Sequence, residues 1–258
     1  MKPLRRIIES AAADRDHGAG EIERRLVAGL LDRRGDWTGE ALIEGADALR
    51  AGQPVMANLR NLARRLATDD PASLEAWLRR RAEVLDELPR RLGEAAWPHL
   101  EGAARLVTLS RSSAVAAVLE HAWDRGWRGE TVVLDGSPAG RGPEQAVRLA
   151  RRLQPVRSQP DATAPRWLDG RRVRVVVGAD AVSPKRLVNV CGTAALLELA
   201  GVRSVPVAVV ADTGKELPDA ELDELLAASP RAGGDGPGRT WPLFEAAAMA
   251  GVAARVHE

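Results

Sequence analysis

The sequence predicts an α/β protein, with a helical segment of about one hundred residues followed by a parallel sheet with helical crossovers. Three observations predict it. Up to about residue 100, apolar residues recur at three- and four-residue spacings, with Arg, Asp and Glu filling the gaps and no strand evident. From residue 105, short runs rich in Val and Leu appear. Between those runs the helical spacing returns, as strand–helix–strand units in a parallel sheet require.

Taken in order, Ile22, Leu26 and Leu30 form one helical stripe and Leu59, Leu62 and Leu66 another. Leu74, Trp77, Val84, Leu85 and Leu88 form a third, and turn residues break the pattern at Gly35, Gly52–Pro54 and Asp69–Pro71. Strands are expected at Arg105–Leu109, Thr131–Leu134, Val173–Val177 and Val205–Val210. Helices are expected at Ser113–Arg125, Glu144–Leu153 and Lys185–Ala200, with a short one at Glu221–Ala227. The connections 154–170 and, outside that short helix, 213–242 with its SPRAGGDGPGRTWP segment read as irregular. The chain divides into a helical part, 1–102, and an α/β part, 103–258, with no internal repeat.

Composition narrows the function. Among 258 residues, 37 Lys and Arg against 36 Asp and Glu leave a net charge of +1, so no overall field attracts a nucleic acid or an anionic membrane. Seven Trp, one Phe and no Tyr supply few platforms for stacking bases. No stretch has the apolar length of a membrane span, and the N-terminus lacks the apolar core of a signal peptide. The single cysteine, Cys191, excludes an internal disulfide framework and fits a cytoplasmic protein. It falls in the helix expected over 185–200, on one face with Leu187 and Ala195, where a packing role is expected. His17, His99, His121 and His257 are scattered, with no helical pair suited to zinc, and each reads as a surface or core residue.

In an open parallel sheet, ligands bind beyond the carboxyl ends of the strands, where strand order reverses. Just past the four apolar runs lie SRSS (110–113), DGSPAGRG (135–142), GAD (178–180) and AD (211–212). Each brings a hydroxyl or carboxylate to one sheet edge, and three of the four are expected to precede a helix whose free N–H groups suit an anion. A phosphorylated small molecule is the ligand class this suggests. Plainer readings stand beside it. Ser112 and Ser113 also suit helix N-caps, and DGSPAGRG, which is neither a Walker loop nor GxGxxG, also suits an ordinary turn. Asp180 and Asp212 both suit a helix cap or an arginine pair, Asp212 above all, and no spacing makes a magnesium site of Asp135, Asp180 and Asp212. No metal or cofactor is expected.

The ordered segments HGAGEI, QPVMANLRNLA, LVTLSRSSAV, VVLDGSPAGRG, VVVGADAVSPKRLVNVCGTAALLELA, VPVAVVAD and WPLFEAA together resemble a known family. It comprises the initiation factor 2B alpha, beta and delta subunits with methylthioribose-1-phosphate isomerase and ribose-1,5-bisphosphate isomerase. The GAD segment followed by Asn189, Gly192 and Thr193 is its most specific match. The resemblance implies a helical domain joined to a Rossmann-like domain, a dimer or larger assembly, and a sugar-phosphate or nucleotide-like ligand between the domains. It places Gly18, Ala19, Arg111, Ser112, Gly140, Arg141, Gly142, Asn189, Gly192 and Thr193 around that ligand. Asp180 matches the isomerases' catalytic aspartate, and Ser110 stands where they carry a cysteine.

Other basic positions of the family also differ, with Gln53, Ser137 and Val190 in place of two arginines and a lysine. A serine hydroxyl is far less acidic than a thiol, whose reference pKa is about 8.5, so Ser110 needs a strong local base to move a proton. Arg111 and Arg141 could replace part of the lost phosphate binding. The sequence therefore favours a regulatory or catalytically divergent ligand-binding protein. An isomerase of altered substrate range using Asp180, and a scaffold for a protein partner, are the competing expectations.

Overall fold

The computed structural model describes residues 3–153, 155–233 and 240–257. The middle of SPRAGGDGPGRTWP, and the residue that opens the 154–170 connection, lie outside the described residues. Five helices come first: α1 Pro3–Ala13, α2 Ala19–Asp32, α3 Gly39–Gly52, α4 Ala57–Thr68 and α5 Pro71–Leu100. Helix α5 begins at Asp70, whose carboxylate accepts from the N–H groups of Ala72 (3.0 Å) and Ser73 (3.1 Å), with Pro71 in the first turn. Its buried face runs from Leu74 through Leu78, Arg81, Leu85, Leu88 and Leu92 to Leu100. The breaks after α2, α3 and α4 fall where the turn residues predict them, while the one at 14–18, between α1 and α2, was not expected.

The remaining chain builds a six-stranded parallel sheet from β1 Arg105–Leu109, β2 Glu130–Leu134, β3 Val156–Gln159, β4 Val173–Gly178, β7 Val207–Val210 and β11 Ala254–Val256, in the order β11-β7-β4-β1-β2-β3. Helices α6 Ser113–Asp124 and α7 Gly142–Ala150 cross between its strands. Leu106, Val133, Val176 and Val210 turn to one face and join a single apolar cluster with the five N-terminal helices, α6 and α7. Val107, Val132, Val175 and Val209 turn to the other, against Leu168 and the helix α9 Thr193–Val202. Strand order reverses between β1 and β4, the crevice position for such a sheet.

Three expectations change. Residues 186–190 are strand rather than helix: β5 Ala181–Val182 and β6 Arg186–Val190 form a second, antiparallel sheet with β10 Phe244–Ala248. The alternating Leu187 and Val188 pair with Ala247 and Ala246, and Gly192 at φ +95° ends the strand before α9 begins. Cys191 therefore lies in the strand–helix turn, half-buried, with its thiol donating to the Pro242 carbonyl (3.0 Å), not on a helix with Leu187 and Ala195. The 154–170 connection contains β3, a polar edge strand, and the helical turn α8 Ala164–Trp167. The 213–242 segment carries α10 Asp219–Ala227, as expected, and a hairpin of β8 Arg231–Gly233 with β9 Thr240–Pro242. No helix among the described residues is long and apolar enough to cross a membrane.

Candidate functional site

Beyond the carboxyl ends of β1 and β4 a cleft of about 130 Å³ opens between the helical segment and the sheet. Eight of the twelve residues singled out from the sequence line it: Gly18, Ala19, Ser110, Arg111, Ser112, Arg141, Asp180 and Asn189. Gly140, Gly142, Gly192 and Thr193 do not; they shape the loops behind it. Gly142 begins α7 so close to β2 that a Cβ there would meet the Leu134 carbonyl oxygen at 2.3 Å. Gly140, at φ +64°, donates its N–H to the Gly136 carbonyl (2.8 Å). Thr193 donates to the Val190 carbonyl (2.7 Å) and accepts from the Asn189 amide (3.0 Å), fixing the side chain that faces the cleft.

Ser110 ends β1 in the left-handed region, at φ +58°, an uncommon conformation for a residue with a Cβ. The hydrogen bond from its N–H to the Leu134 carbonyl (2.8 Å) and the packing of Gly136 against its side chain hold it there. The hydroxyl is thus presented from a buried, rigid corner. Ser112 caps α6 by accepting from the Val115 N–H (3.3 Å), the plainer role considered for it.

Opposite α6 stands the N-terminus of α2. Its N-cap, Gly18, has no side chain to accept the first N–H groups, and a Cβ on Gly18 or Gly20 would lie 3.9 or 3.8 Å from the Ser113 hydroxyl. Two helix N-termini therefore converge on one space, each a source of free N–H donors and partial positive charge. Only SRSS and DGSPAGRG lead into such helices; GAD runs into β5, and AD into a single 3-10 turn at Thr213–Lys215. The expectation of three strand-end helices is corrected to two, and α2 supplies the other N-terminus at the cleft.

Asp180 is held by its backbone, with its N–H donating to Val188 (2.8 Å) and its carbonyl accepting from Ala57 at the start of α4 (3.0 Å). Burial pushes its carboxyl pKa above the ordinary 3.8, and the nearby Lys215 opposes that rise. Lys215 is the residue the sequence did not mark. It is buried, lines the cleft, and donates to the Ala179 carbonyl (2.5 Å), which leaves further ammonium N–H groups for a ligand. It arrives on the turn that follows β7, just past the AD segment, while Val190 occupies the cleft wall where the resemblance puts a lysine.

The two arginines expected to hold phosphate are engaged by the chain itself. Arg111 donates to the Asp16 carbonyl, and Arg141 to the carbonyls of Arg15 (2.8 Å) and Asp16 (3.0 Å). Both lie near Glu144, at 3.5 and 3.3 Å. Burial and then the charge of Arg141 lower the Arg111 pKa, with Glu144 and Glu21 opposing that fall. The loop they grip carries His17, which lines the cleft and bonds to Asp14 (2.8 Å). Asp212 takes the plain role, accepting from Arg81 (2.7 Å) and the Gly214 N–H (3.0 Å). Asp135 accepts from Ser158 (3.2 Å), and no group of three or more His, Cys, Asp or Glu among the described residues is arranged to hold a metal ion.

The structure superposes on a Pyrococcus horikoshii OT3 translation initiation factor eIF-2B with a TM-score of 0.82, at 20% identity over 99% of this chain and 95% of that one. It also matches eIF2B delta from Chaetomium thermophilum, with a TM-score of 0.74 and 15% identity over 99% and 97% of the two chains. A 5-methylthioribose 1-phosphate isomerase from P. horikoshii OT3 matches with a TM-score of 0.66 and 17% identity over 98% and 82%. At these identities the likeness is one of fold. No curated protein matches the chain by sequence. The Initiation factor 2 subunit family matches residues 17–232, most of the sequence, and the chain belongs to that family.

Proposed function

We propose that the protein is a cytoplasmic ligand-binding member of its family, assembling as a dimer or larger oligomer, whose cleft takes a phosphorylated sugar or nucleotide without isomerising it. The observation that carries this reading is the pairing of an anion-suited cleft with Ser110 at the corner where the isomerases place a thiol. The convergent N-termini of α2 and α6, with Lys215 between the strand ends, suit one phosphate group. A hydroxyl in the place of the thiol removes the easily ionised group.

Calorimetric titration with ribose 1,5-bisphosphate, methylthioribose 1-phosphate and adenosine monophosphate tests it. At least one should bind, and Asp180→Ala and Lys215→Met should each weaken that binding at least tenfold. Absence of binding for all three overturns the reading. The raised pKa of Asp180 favours a second one, a divergent isomerase in which that carboxyl carries a proton between adjacent carbons. Aldose-to-ketose conversion by the purified protein, abolished in Asp180→Asn, would select it.

A further inference from the structure

At the opposite end of the sheet, below the amino ends of β1, β2 and β4, lies an open groove of about 580 Å³. Its walls include Trp97, Trp127 and three arginines, Arg125, Arg128 and Arg172, with Glu101 the one carboxylate among its lining residues. From this groove we infer a docking surface for an acidic segment of a partner protein.

Charge is the first argument. Arg125, Arg128 and Arg172 are exposed, and none has a carboxylate within ion-pair distance among the described residues. Glu101 offsets one of these three charges, and the acids beside the groove are already taken: Asp124 by Arg152 (2.7 Å), and Glu130 by Arg105 (2.8 Å) and Arg157 (2.6 Å). The groove thus keeps a net positive charge, although the whole chain is nearly neutral.

Pre-organisation is the second. The Arg125 guanidinium sits 5.2 Å from the Trp97 ring centre, and that of Arg128 lies 4.0 Å from Trp123. Arg128 also donates to the carbonyls of Trp123 (2.6 Å) and Trp127 (2.8 Å), and Arg172 to that of Gly102 (2.5 Å). Side chains fixed in this way lose little freedom when a carboxylate binds, and arginine and tryptophan are the residues most enriched at energetic centres of protein interfaces.

The same geometry disfavours a nucleic acid. Arginines cover the indole faces of Trp97 and Trp123, and Trp127 is buried with its ring N–H bonded to the Ala103 carbonyl (2.8 Å), so no open aromatic face is offered to a base.

Fluorescence anisotropy with a labelled deca-glutamate peptide at low ionic strength tests the surface. The protein should bind the peptide, and the Arg125→Glu, Arg128→Glu pair should weaken binding at least tenfold. A control pair of the same charge change on exposed arginines elsewhere, Arg80→Glu with Arg203→Glu, should leave it within about twofold. If the glutamate variant does not fold by circular dichroism, Arg125→Gln with Arg128→Gln serves in its place. Absence of peptide binding, equal loss in both pairs, or stronger displacement of the peptide by deca-thymidylate than by unlabelled peptide would each overturn the assignment. So would a self-association, measured by sedimentation, that only the Arg125, Arg128 pair abolishes, since the occupant would then be a second copy of the chain.

Discussion

Asp180 carries its carboxyl in a place that disfavours charge, and the sign of the consequence is fixed. Its pKa in the folded protein lies above 3.8, so between those two values the folded chain holds more protons than the unfolded chain. Stability from this group is greatest at acid pH and is lost as pH rises through the folded pKa. Asp180→Asn removes that dependence. Melting temperatures of the two proteins, measured from about pH 4 to pH 8, should converge at acid pH and separate in favour of the variant as pH rises; parallel curves would show that the carboxyl is not strained. At the neighbouring corner, Gly136 sits at φ +72° with the Ser110 side chain where its own Cβ would be, 2.4 Å from the Ser110 Cβ. Gly136→Ala combines a left-handed penalty with overpacking and should cost roughly 2–4 kcal/mol. Urea denaturation reads this directly, and a loss below about 0.5 kcal/mol would mean the corner yields easily.

Between elements, the pin that joins α2, α5 and the end of β7 is a buried ion cluster. Arg81 on α5 donates to Glu23 on α2 through Nε (2.7 Å) and Nη2 (2.8 Å), and to Asp212 through Nη2 (2.7 Å). Burial lowers the Arg81 pKa, but Glu23 and Asp212 outweigh it and raise the pKa above its ordinary value. Asn58 adds a bond from its amide to Glu23 (2.8 Å) and one to the Ala19 carbonyl (3.0 Å), at the first turn of α2 beside the cleft. Arg81→Met leaves two buried carboxylates without their cation and should cost about 3–5 kcal/mol. Adding Glu23→Gln should return part of that loss, a coupling that a double-mutant cycle measures; strict additivity would deny the cluster. Of this clamp only the pairing of Asp212 with some arginine was legible in the sequence; Arg81, Glu23 and Asn58 were not, because the members come from distant segments. What was legible follows a local rule. The strands β1, β2 and β4 are short runs rich in Val and Leu, almost wholly buried, and their ends mark the site through the strand-end rule alone. Strand β6 was not, because RLVNV fits a helical spacing as well as an alternation and its partner FEAAA has little strand propensity of its own. Lys215 escaped for a related reason: a 3-10 turn and a bond to a main-chain carbonyl bring it to the cleft, and neither leaves a periodic trace.

For the whole molecule, the decisive fact is that the helical segment and the sheet share one apolar cluster. Leu85, Leu88, Leu92 and Leu100 of α5 belong to the same cluster as Leu106, Val176 and Val210 of the sheet and Val115 and Val118 of α6. Removing the first hundred residues would strip that sheet face and α6 of their cover. A fragment of residues 103–258 should therefore bind a hydrophobic dye and lack the near-ultraviolet dichroism of packed tryptophans. The complete chain should melt in one transition, with calorimetric and van't Hoff enthalpies in agreement; two resolved transitions would separate the parts energetically. The cleft makes the same coupling visible from the ligand side. Gly18 and Ala19 come from the helical segment and Ser110, Asp180 and Lys215 from the α/β segment, so an occupant touches both. A phosphorylated ligand at one hundred times its dissociation constant adds about 2.7 kcal/mol to whatever unfolds with the site. If the parts unfold together, that addition should raise the single melting temperature without splitting the transition. A ligand that shifted only half of the unfolding enthalpy would show that the shared cluster does not bind the two parts into one cooperative unit.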